Sequence, residues 1–507
     1  MTPTDGFEIV LTADRTLTAP YPLMLDAMFV SSQTTAVPLP LIEHLMVPKA
    51  GRNGPRAATA PLGLRRIEAA LIGGGFPDAG VAVVDERRLP EAVGPSTRVV
   101  AVSTGDPAGL GMHTTTTTRI LGGRGVPQAA FEALMRSVRR ACEACSRRPK
   151  VVAGGPGAWQ LARSPEAMDR LGIDHVVTGY AEGNVADVFR AVAEGGGAPR
   201  VITGKPVDAS RVPSVRGATT MGVVEISRGC GLGCAFCTIA RTPMQHLPRE
   251  TILADARTNV AGGNRNLCVI SEDVFRYGGD GRRANPAALI DLLAGLRRIG
   301  GVGIIQTDHA NVTSVEQYSD AQFGEVRRLM IGDSGQRRPW VNVGVETASG
   351  ALLRANGGGP KMAPHGEADW PDACAEQLRR LCRVGFLPMA SLVVGLPGES
   401  AGDVERTIAW VRSLGGEPIT IFPEVYAPIG DARADVPELH RLHWRLIREC
   451  YKLNFRWFPR LYRDSQRAVG VGLARRSMLR ALGWCEAARW MLMLAWRSHR
   501  SRPADDV

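Results

Sequence analysis

Three cysteines fall within eight residues, in the run Glu225-Ile226-Ser227-Arg228-Gly229-Cys230-Gly231-Leu232-Gly233-Cys234-Ala235-Phe236-Cys237. The spacing is C-x3-C-x2-C. Three closely spaced thiolates can hold three irons of a [4Fe–4S] cluster and leave the fourth iron open to a substrate or cofactor, so such a cluster can do chemistry. The glycines at 229, 231 and 233 expose backbone N–H groups that can bond to sulfur and tune the cluster.

Two other chemistries fit the cysteines less well. Structural zinc usually takes four N or S ligands, and the nearest further candidates, Cys268 and His246, lack a second tight ligand pair. A disulfide framework is disfavoured because the other seven cysteines are scattered and the N-terminus is polar, without a charged n-region and apolar h-region. A reducing, cytoplasmic setting is expected. Cys142 and Cys145 form C-x2-C, but they follow an apolar helix face of Phe131, Leu134 and Val138, which reads as core packing.

A strand must present the cluster loop. Residues 223–226 read as a short buried strand with the cysteines at its C-terminal end, where α/β barrels place their chemistry. From about 215 to 430 the strand–helix rhythm continues, with strands expected at 223–227, 267–271, 302–306, 341–345, 389–394 and 419–422. Six strands with intervening helices predict a partial α/β barrel, whose open side admits a large substrate.

Residues 7 to about 200 also alternate. Strands are expected at 7–11, 81–84, 99–102, 151–153 and 175–177, with an irregular Pro/Gly-rich stretch from 18 to 60 and a helix opened by Pro61. This pattern predicts a doubly wound, Rossmann-like parallel sheet. Ser103-Thr104-Gly105-Asp106-Pro107, Gly154-Gly155-Pro156-Gly157-Ala158 and Gly179-Tyr180-Ala181-Glu182-Gly183 each follow a strand, so all three lie at the sheet's carboxyl edge, where such folds bind ligands. Glycines there let backbone approach a large cofactor, although Gly-rich turns are equally common as plain connectors.

With 507 residues, two or three domains are expected, placed at 1–215, 216–432 and a helical 433–507. Hydrophobic content of 44% and charged content of 22% are ordinary for a globular chain, and no apolar run reaches membrane-spanning length. The net charge of +11 is concentrated in the tail: residues 436–507 hold 15 Lys or Arg against 6 Asp or Glu, +9. The remainder is nearly neutral, so the basic balance gives no reason to expect specific nucleic-acid binding by the core.

The cysteine run with Phe236 resembles the motif of the radical S-adenosylmethionine (radical SAM) superfamily. There the open iron holds the amino and carboxylate groups of SAM, and one electron cleaves SAM to a 5′-deoxyadenosyl radical. A doubly wound domain placed before such a run resembles the cobalamin-binding radical SAM class, over roughly residues 7 to 430. The resemblance implies that Ser103, Thr104, Gly105, Gly154, Gly155, Gly157, Gly179 and Glu182 line cobalamin, and that Cys230, Cys234 and Cys237 hold the cluster with Phe236 over it or beside adenine. Ser271-Glu272-Asp273 occupies the place of a Gly-Gly-Glu-like element that meets the SAM ammonium. Gln306 and His309 end the third strand, Glu346 and Ser349 lie in a fourth-strand run near the ribose, and Gly395 begins a turn beside adenine. Each of these residue types also serves as a cap, turn or surface ion pair; the order of the runs is more specific than any member. The chain departs from the Asp-x-His-x-x-Gly pattern whose histidine ligates cobalt: in Asp174-His175-Val176-Val177-Thr178-Gly179 the Asp and His are adjacent, and His175 reads as a satisfied core residue.

The activity implied is methylation of an unactivated carbon: one SAM methylates the corrinoid, a second yields the adenosyl radical, and the substrate radical takes the methyl from methylcobalamin. Its partners would be a small-molecule or lipid substrate and an external one-electron reductant of flavodoxin or ferredoxin type. Cyclisation, oxidation or rearrangement are other outcomes on this scaffold, and a non-catalytic cobalamin or iron–sulfur sensor is an alternative of a different class. Radical SAM methylthiotransferases carry three further N-terminal cysteines, whereas the first cysteine here is Cys142. In the tail, Trp484, Trp490 and Trp496 among arginines suit either a helix packed on the barrel or contact with a membrane surface, and a peripheral location accompanies the second reading.

Overall fold

The computed structural model describes residues 5–49, 54–195, 197–428 and 436–501. The boundary expected at 432/433 lies outside them. The chain divides into two compact units: 1–118, 122–224 and 247–265 form the first; 119–121, 225–246 and 266–507 form the second.

The first unit is built on β1 (Ile9–Ala13), β2 (Val81–Asp85), β3 (Val99–Ser103), β4 (Lys150–Gly154), β5 (His175–Thr178) and β6 (Val201–Thr203). Their order is β2-β1-β3-β4-β5-β6, and every pairing is parallel. The strand order reverses between β1 and β3, where doubly wound sheets bind ligands. The central strands are mostly apolar because helices cover both faces: β1 is IVLTA and β3 is VVAVS, all buried. On one face the helix Val126–Glu143 packs Phe131, Leu134 and Val138 into the core, with Cys142 buried beside them. On the other, Leu62–Gly73 and Val185–Glu194 pack Leu64, Leu71, Phe189 and Val192.

The stretch from 18 to 60, expected to be irregular, holds helices Met24–Ser31 and Leu39–Met46. A five-threonine run, a poor helix sequence by propensity, lies in helix Met112–Leu121. Its hydroxyls turn back onto the helix: Thr116 donates to the Met112 carbonyl at 2.7 Å and Thr118 to that of Thr114 at 2.8 Å.

Helix Arg249–Ala261 follows the cysteine loop in sequence but belongs to the first unit. Asp255 explains why: it pairs with Arg66 at 2.5 Å, both fully buried, and accepts the Val215 N–H at 2.9 Å. Asn259 accepts the Thr219 N–H at 2.8 Å.

The remaining strands are β7 (Val223–Glu225), β8 (Ser227–Arg228), β9 (Gln245–His246), β10 (Leu267–Ile270), β11 (Ile305–Thr307), β12 (His309–Asn311), β13 (Trp340–Glu346), β14 (Leu387–Val394) and β15 (Thr420–Val425). The order is β11-β10-β7 in a three-stranded sheet and β12-β13-β14-β15 in a four-stranded one; only Asp308 separates β11 from β12, and with those two taken as one strand the set makes the six strands of a partial barrel. The third strand begins later than expected. The Arg297 guanidinium gathers the carbonyls of Val302 and Gly303, so that segment is a turn and the strand starts at Ile305.

Two 28-residue helices, Arg441–Ala468 and Leu473–Arg500, end the second unit. The first is fastened to β15 by Asn454, which accepts from the Ile421 N–H at 2.6 Å and donates to its carbonyl at 2.7 Å. Among the described residues no helix is long and apolar enough to cross a membrane.

Candidate functional site

The cysteine loop is pinched at its base by a two-residue antiparallel ladder, Ser227 opposite His246 and Arg228 opposite Gln245. Within it Gly229, Gly231 and Gly233 all have φ between +72° and +79°, the left-handed region that favours glycine. A Cβ on Gly229 would strike the Pro243 carbonyl, so the loop cannot close with another residue there. The Cys230 N–H bonds the Thr242 carbonyl at 2.9 Å and the Gly233 N–H that of Ala240 at 2.9 Å. Asn356 braces the loop from outside, its carbonyl accepting from Ala235 and its amide donating to the Pro397 carbonyl, 3.0 Å, in the turn after β14.

Burial raises all three thiols, most for Cys234, which is pushed up to about 11. Lys361 opposes the shift at Cys230 and Cys234, and Arg276 opposes it at Cys230. Thiolates in this pocket therefore call for positive charge, which iron would add to that of the two side chains. Among the described residues no three His, Cys, Asp or Glu side chains are gathered tightly enough to ligate one metal ion. The thiolates of a cubane each bind a different iron, so the donor set fits that group.

The C-terminal ends of the strands bring further ionisable groups to this pocket. Glu225 and Arg228 form a buried two-pronged ion pair at 2.8 and 3.0 Å. Ser227 and Ser271 share a 2.5 Å hydrogen bond. Glu272 is half-buried and raised by burial, with His309 opposing. His309 is held up at about 9 by Asp308, 3.1 Å away, with Glu272 and Glu346 adding to the pull, so it is cationic at neutral pH.

Glu346 ends β13 after a register shift at Gly344, and its φ of +68° is rare for a residue with a side chain. Strain of this kind, worth about 1–3 kcal/mol, persists only where the surroundings enforce it. Here Lys361 does so, at 2.5 Å, both side chains nearly buried. Burial opposes the lysine's charge, but Glu346 and Cys234 outweigh it and the net shift is upward. A Cβ on Gly344 would meet both Glu346 Oε1 and Lys361 Nζ, so a side chain there would displace the pair.

Several residues expected to touch SAM also bond to protein. Asp273 is fully buried; one oxygen accepts from Arg276 Nε at 2.9 Å and the other from the Ser314 hydroxyl at 2.7 Å. It positions Arg276, whose guanidinium reaches the Cys230 carbonyl at 2.9 Å and Cys230 Sγ at 3.5 Å. Gln306 is inside its strand, not at the end, and its amide N–H groups bond the carbonyls of Thr307 and Trp340 at 2.7 and 2.8 Å. Ser349 caps helix Gly350–Ala355. Gly395, at φ +81°, donates to Glu399 at 2.7 Å, and a Cβ there would strike Pro437. Phe236 is buried within the cysteine loop. Arg276, Lys361 and Asn356 were not singled out from the sequence. Lys361 carried one signal: it is one of only five lysines among 61 basic residues, in a chain that otherwise uses arginine.

In the first unit the loops after β3 and β4 interlock. Thr104 donates through both N–H and hydroxyl to the Gly154 carbonyl, each at 2.8 Å, and its own carbonyl accepts from Gly157 at 3.2 Å. Gln160 bridges Asp106 at 2.6 Å and the Ala108 N–H at 2.8 Å. A Cβ on Gly155 would lie 2.9 Å from Ser103 Oγ, and one on Gly157 would overlap Gly105 and Pro107. Gly179, at φ +77°, has open space beside it, and Glu182 is half-buried in the same turn after β5. Gly155 and Gly157 are thus taken up by packing between the two loops, and the open space lies beside Gly179. His175 opens β5 at the opposite edge of the sheet, half-buried rather than core, with Nδ1 on the Pro199 carbonyl at 2.9 Å, so it does not face these loops.

No family model matches the chain. It is 25% identical over 244 residues to a tRNA-2-methylthio-N(6)-dimethylallyladenosine synthase of Halorhodospira halophila, covering 46% of this chain and 47% of that protein. To the enzyme of that name from Cereibacter sphaeroides it is 25% identical over 307 residues, 56% of this chain and 65% of the other. The chain thus spans about half to two thirds of these curated relatives. In three dimensions it resembles the radical S-adenosylmethionine methyltransferase TsrM from Kitasatospora setae, solved with cobalamin and a [4Fe–4S] cluster bound: TM-score 0.52, 15% identity, 84% of this chain and 74% of that one. The same enzyme with tryptophan substrate and a SAM analogue gives a TM-score of 0.53 at 16% identity, over 83% and 75%. The two proteins share a fold; in this chain it comprises parallel α/β sheets and a helical C-terminal region.

Proposed function

We propose that this chain is a cobalamin-dependent radical SAM enzyme that methylates an unactivated carbon of a small-molecule or lipid substrate. The observation that carries the reading is a C-x3-C-x2-C loop at the carboxyl end of a six-strand partial barrel, in a chain that also has a glycine-lined, doubly wound sheet. The shared fold with a methyltransferase solved with cobalamin and a [4Fe–4S] cluster supports it.

Cys230, Cys234 and Cys237 would hold the cluster, and the loops at 103–107, 154–158 and 179–183 the corrinoid. When bound, the cluster would supply the electron that cleaves SAM, and the corrinoid would supply the methyl group. The chain's own residues have narrower tasks. Arg276, aligned by Asp273, holds the cysteine loop and donates to Cys230 Sγ. Lys361 holds Glu346 toward the pocket, where its carboxylate can accept from a ribose hydroxyl. Glu272, beside His309, is the carboxylate with capacity left for the SAM ammonium, a task Asp273 cannot take.

The test is anaerobic turnover with SAM carrying a deuterated methyl group, a one-electron reductant and hydroxocobalamin, against extracts of the source cells. A product heavier by the labelled methyl supports the reading; turnover without methylated product leaves cyclisation, oxidation or rearrangement. A second reading, methylthiolation of tRNA, is favoured by the curated relatives. Against it, the first cysteine is Cys142, which is buried on a core helix, and Cys145 lies just beyond that helix's end. Incubation with tRNA and analysis of its nucleosides distinguishes the two.

A further inference from the structure

The last helix, Leu473–Arg500, is buried along one side only, at Ala487, Trp490 and Leu494. There Trp490 meets Tyr451 of helix Arg441–Ala468, ring centroids 4.8 Å apart. On the opposite side Met478, Leu482, Cys485, Leu492 and Trp496 recur at spacings of three, four and seven, which places them on one face. That face is bare: Leu492 is 71% exposed, and Met478, Leu482 and Trp496 are more than a third exposed, with Leu473 and Trp484 beside them. Six of the eleven exposed large hydrophobic residues among the described residues lie on this one helix, so the patch is not the scattered exposure of an ordinary surface.

The charge on the helix selects the occupant. It carries six arginines and one acid, Glu486, which is already paired with Arg489 at 2.7 Å. By helical position Arg475, Arg489 and Arg500 border one edge of the apolar face, and Arg497 and Arg500 stack on the Trp496 ring at 4.9 and 4.7 Å. A second copy would bring arginines against arginines with no acidic counterpart. An anionic lipid surface complements both features: leucine and tryptophan enter the headgroup boundary, and arginines extend to phosphate.

We propose that helix Leu473–Arg500 docks in the plane of an anionic membrane surface through this face. The full-length protein is tested by cosedimentation with vesicles of phosphatidylcholine alone and of phosphatidylcholine mixed with phosphatidylglycerol. The expected result is binding to the mixed vesicles, at least tenfold tighter than to phosphatidylcholine and reversed by high salt. Leu492→Glu with Trp496→Glu lowers that binding at least tenfold. Reversing Arg475 and Arg500 to Glu lowers it at least tenfold, since each basic residue near such a surface contributes roughly 1 kcal/mol. All four side chains are exposed, so the variants keep the wild-type circular dichroism spectrum. Absence of wild-type binding to mixed vesicles overturns the proposal, as does equal binding by the variants. Sedimentation velocity showing a dimer that Leu492→Glu with Trp496→Glu dissociates assigns the face to a second copy and also overturns it.

Discussion

Replacing Arg276 by methionine keeps the aliphatic stem and removes the guanidinium that joins the cysteine loop to the loop after β10. Four hydrogen bonds are lost: to Asp273, to the carbonyls of Gly281 and Cys230, each at 2.9 Å, and the longer one to Cys230 Sγ. Asp273 is fully buried and keeps Ser314. Breaking a buried pair by deleting one partner costs about 3–5 kcal/mol, because the other charge stays behind. The carboxyl is already raised above its ordinary value by burial, with Arg276 holding it back. The folded state therefore binds protons more readily than the unfolded chain, and stability falls as pH rises through the raised value. Without Arg276 the carboxyl rises further, so the variant's penalty is smallest in acid and grows toward pH 8. Native-state hydrogen exchange at Leu267–Ile270, corrected for intrinsic rates, reads this locally without assuming a two-state molecule. Exchange should accelerate about a hundredfold or more at pH 8 and clearly less at pH 5. An acceleration below about fivefold, or one independent of pH, would refute the assignment of Asp273 as the residue that aligns Arg276.

Three further outcomes are expected. Lys361→Met should weaken SAM binding at least tenfold by calorimetry on iron-loaded protein, because Glu346 loses the partner that holds its left-handed backbone. Gly157→Val should abolish the spectral change on adding hydroxocobalamin, since a side chain there forces apart the loops after β3 and β4; unchanged titration would remove those loops from the corrinoid site. Glu86, pushed up to about 7 chiefly by burial and next by Asp14, contributes stability that is lost as pH rises from about 4.5 through 7. Glu86→Gln should therefore melt at a more constant temperature across that range than the wild type; parallel curves would contradict the cause.

Much of the architecture was legible because its signals are local. The cysteine spacing, the glycines that let its loop turn, and the apolar runs of β1, β3, β13 and β14 are each written within a few residues. What the sequence hid depends on partners distant in the chain. Asp273 looks like a free carboxylate until Ser314, 41 residues later, and Arg276 claim its oxygens. Lys361 gains meaning only when a bulge in β13 turns Glu346 toward it. The third strand was displaced because Arg297, at the end of the preceding helix, captures the carbonyls that would have extended it. The edge strand β6, three residues long and exposed, carries too little pattern to be read. The threonine run at 114–118 is helical although hydroxyl side chains compete with backbone, because here they bond within the helix rather than break it.

The most direct measurement is iron content and SAM cleavage in one anaerobic preparation. Reconstituted wild-type protein should bind about four irons per chain and release 5′-deoxyadenosine from SAM on reduction. The triple variant Cys230→Ala, Cys234→Ala, Cys237→Ala should lose both the charge-transfer absorbance and all cleavage. Iron binding and 5′-deoxyadenosine formation that survive in the triple variant would contradict the placement of the cluster, and with it the account of the pocket that Arg276, Lys361 and Glu346 surround.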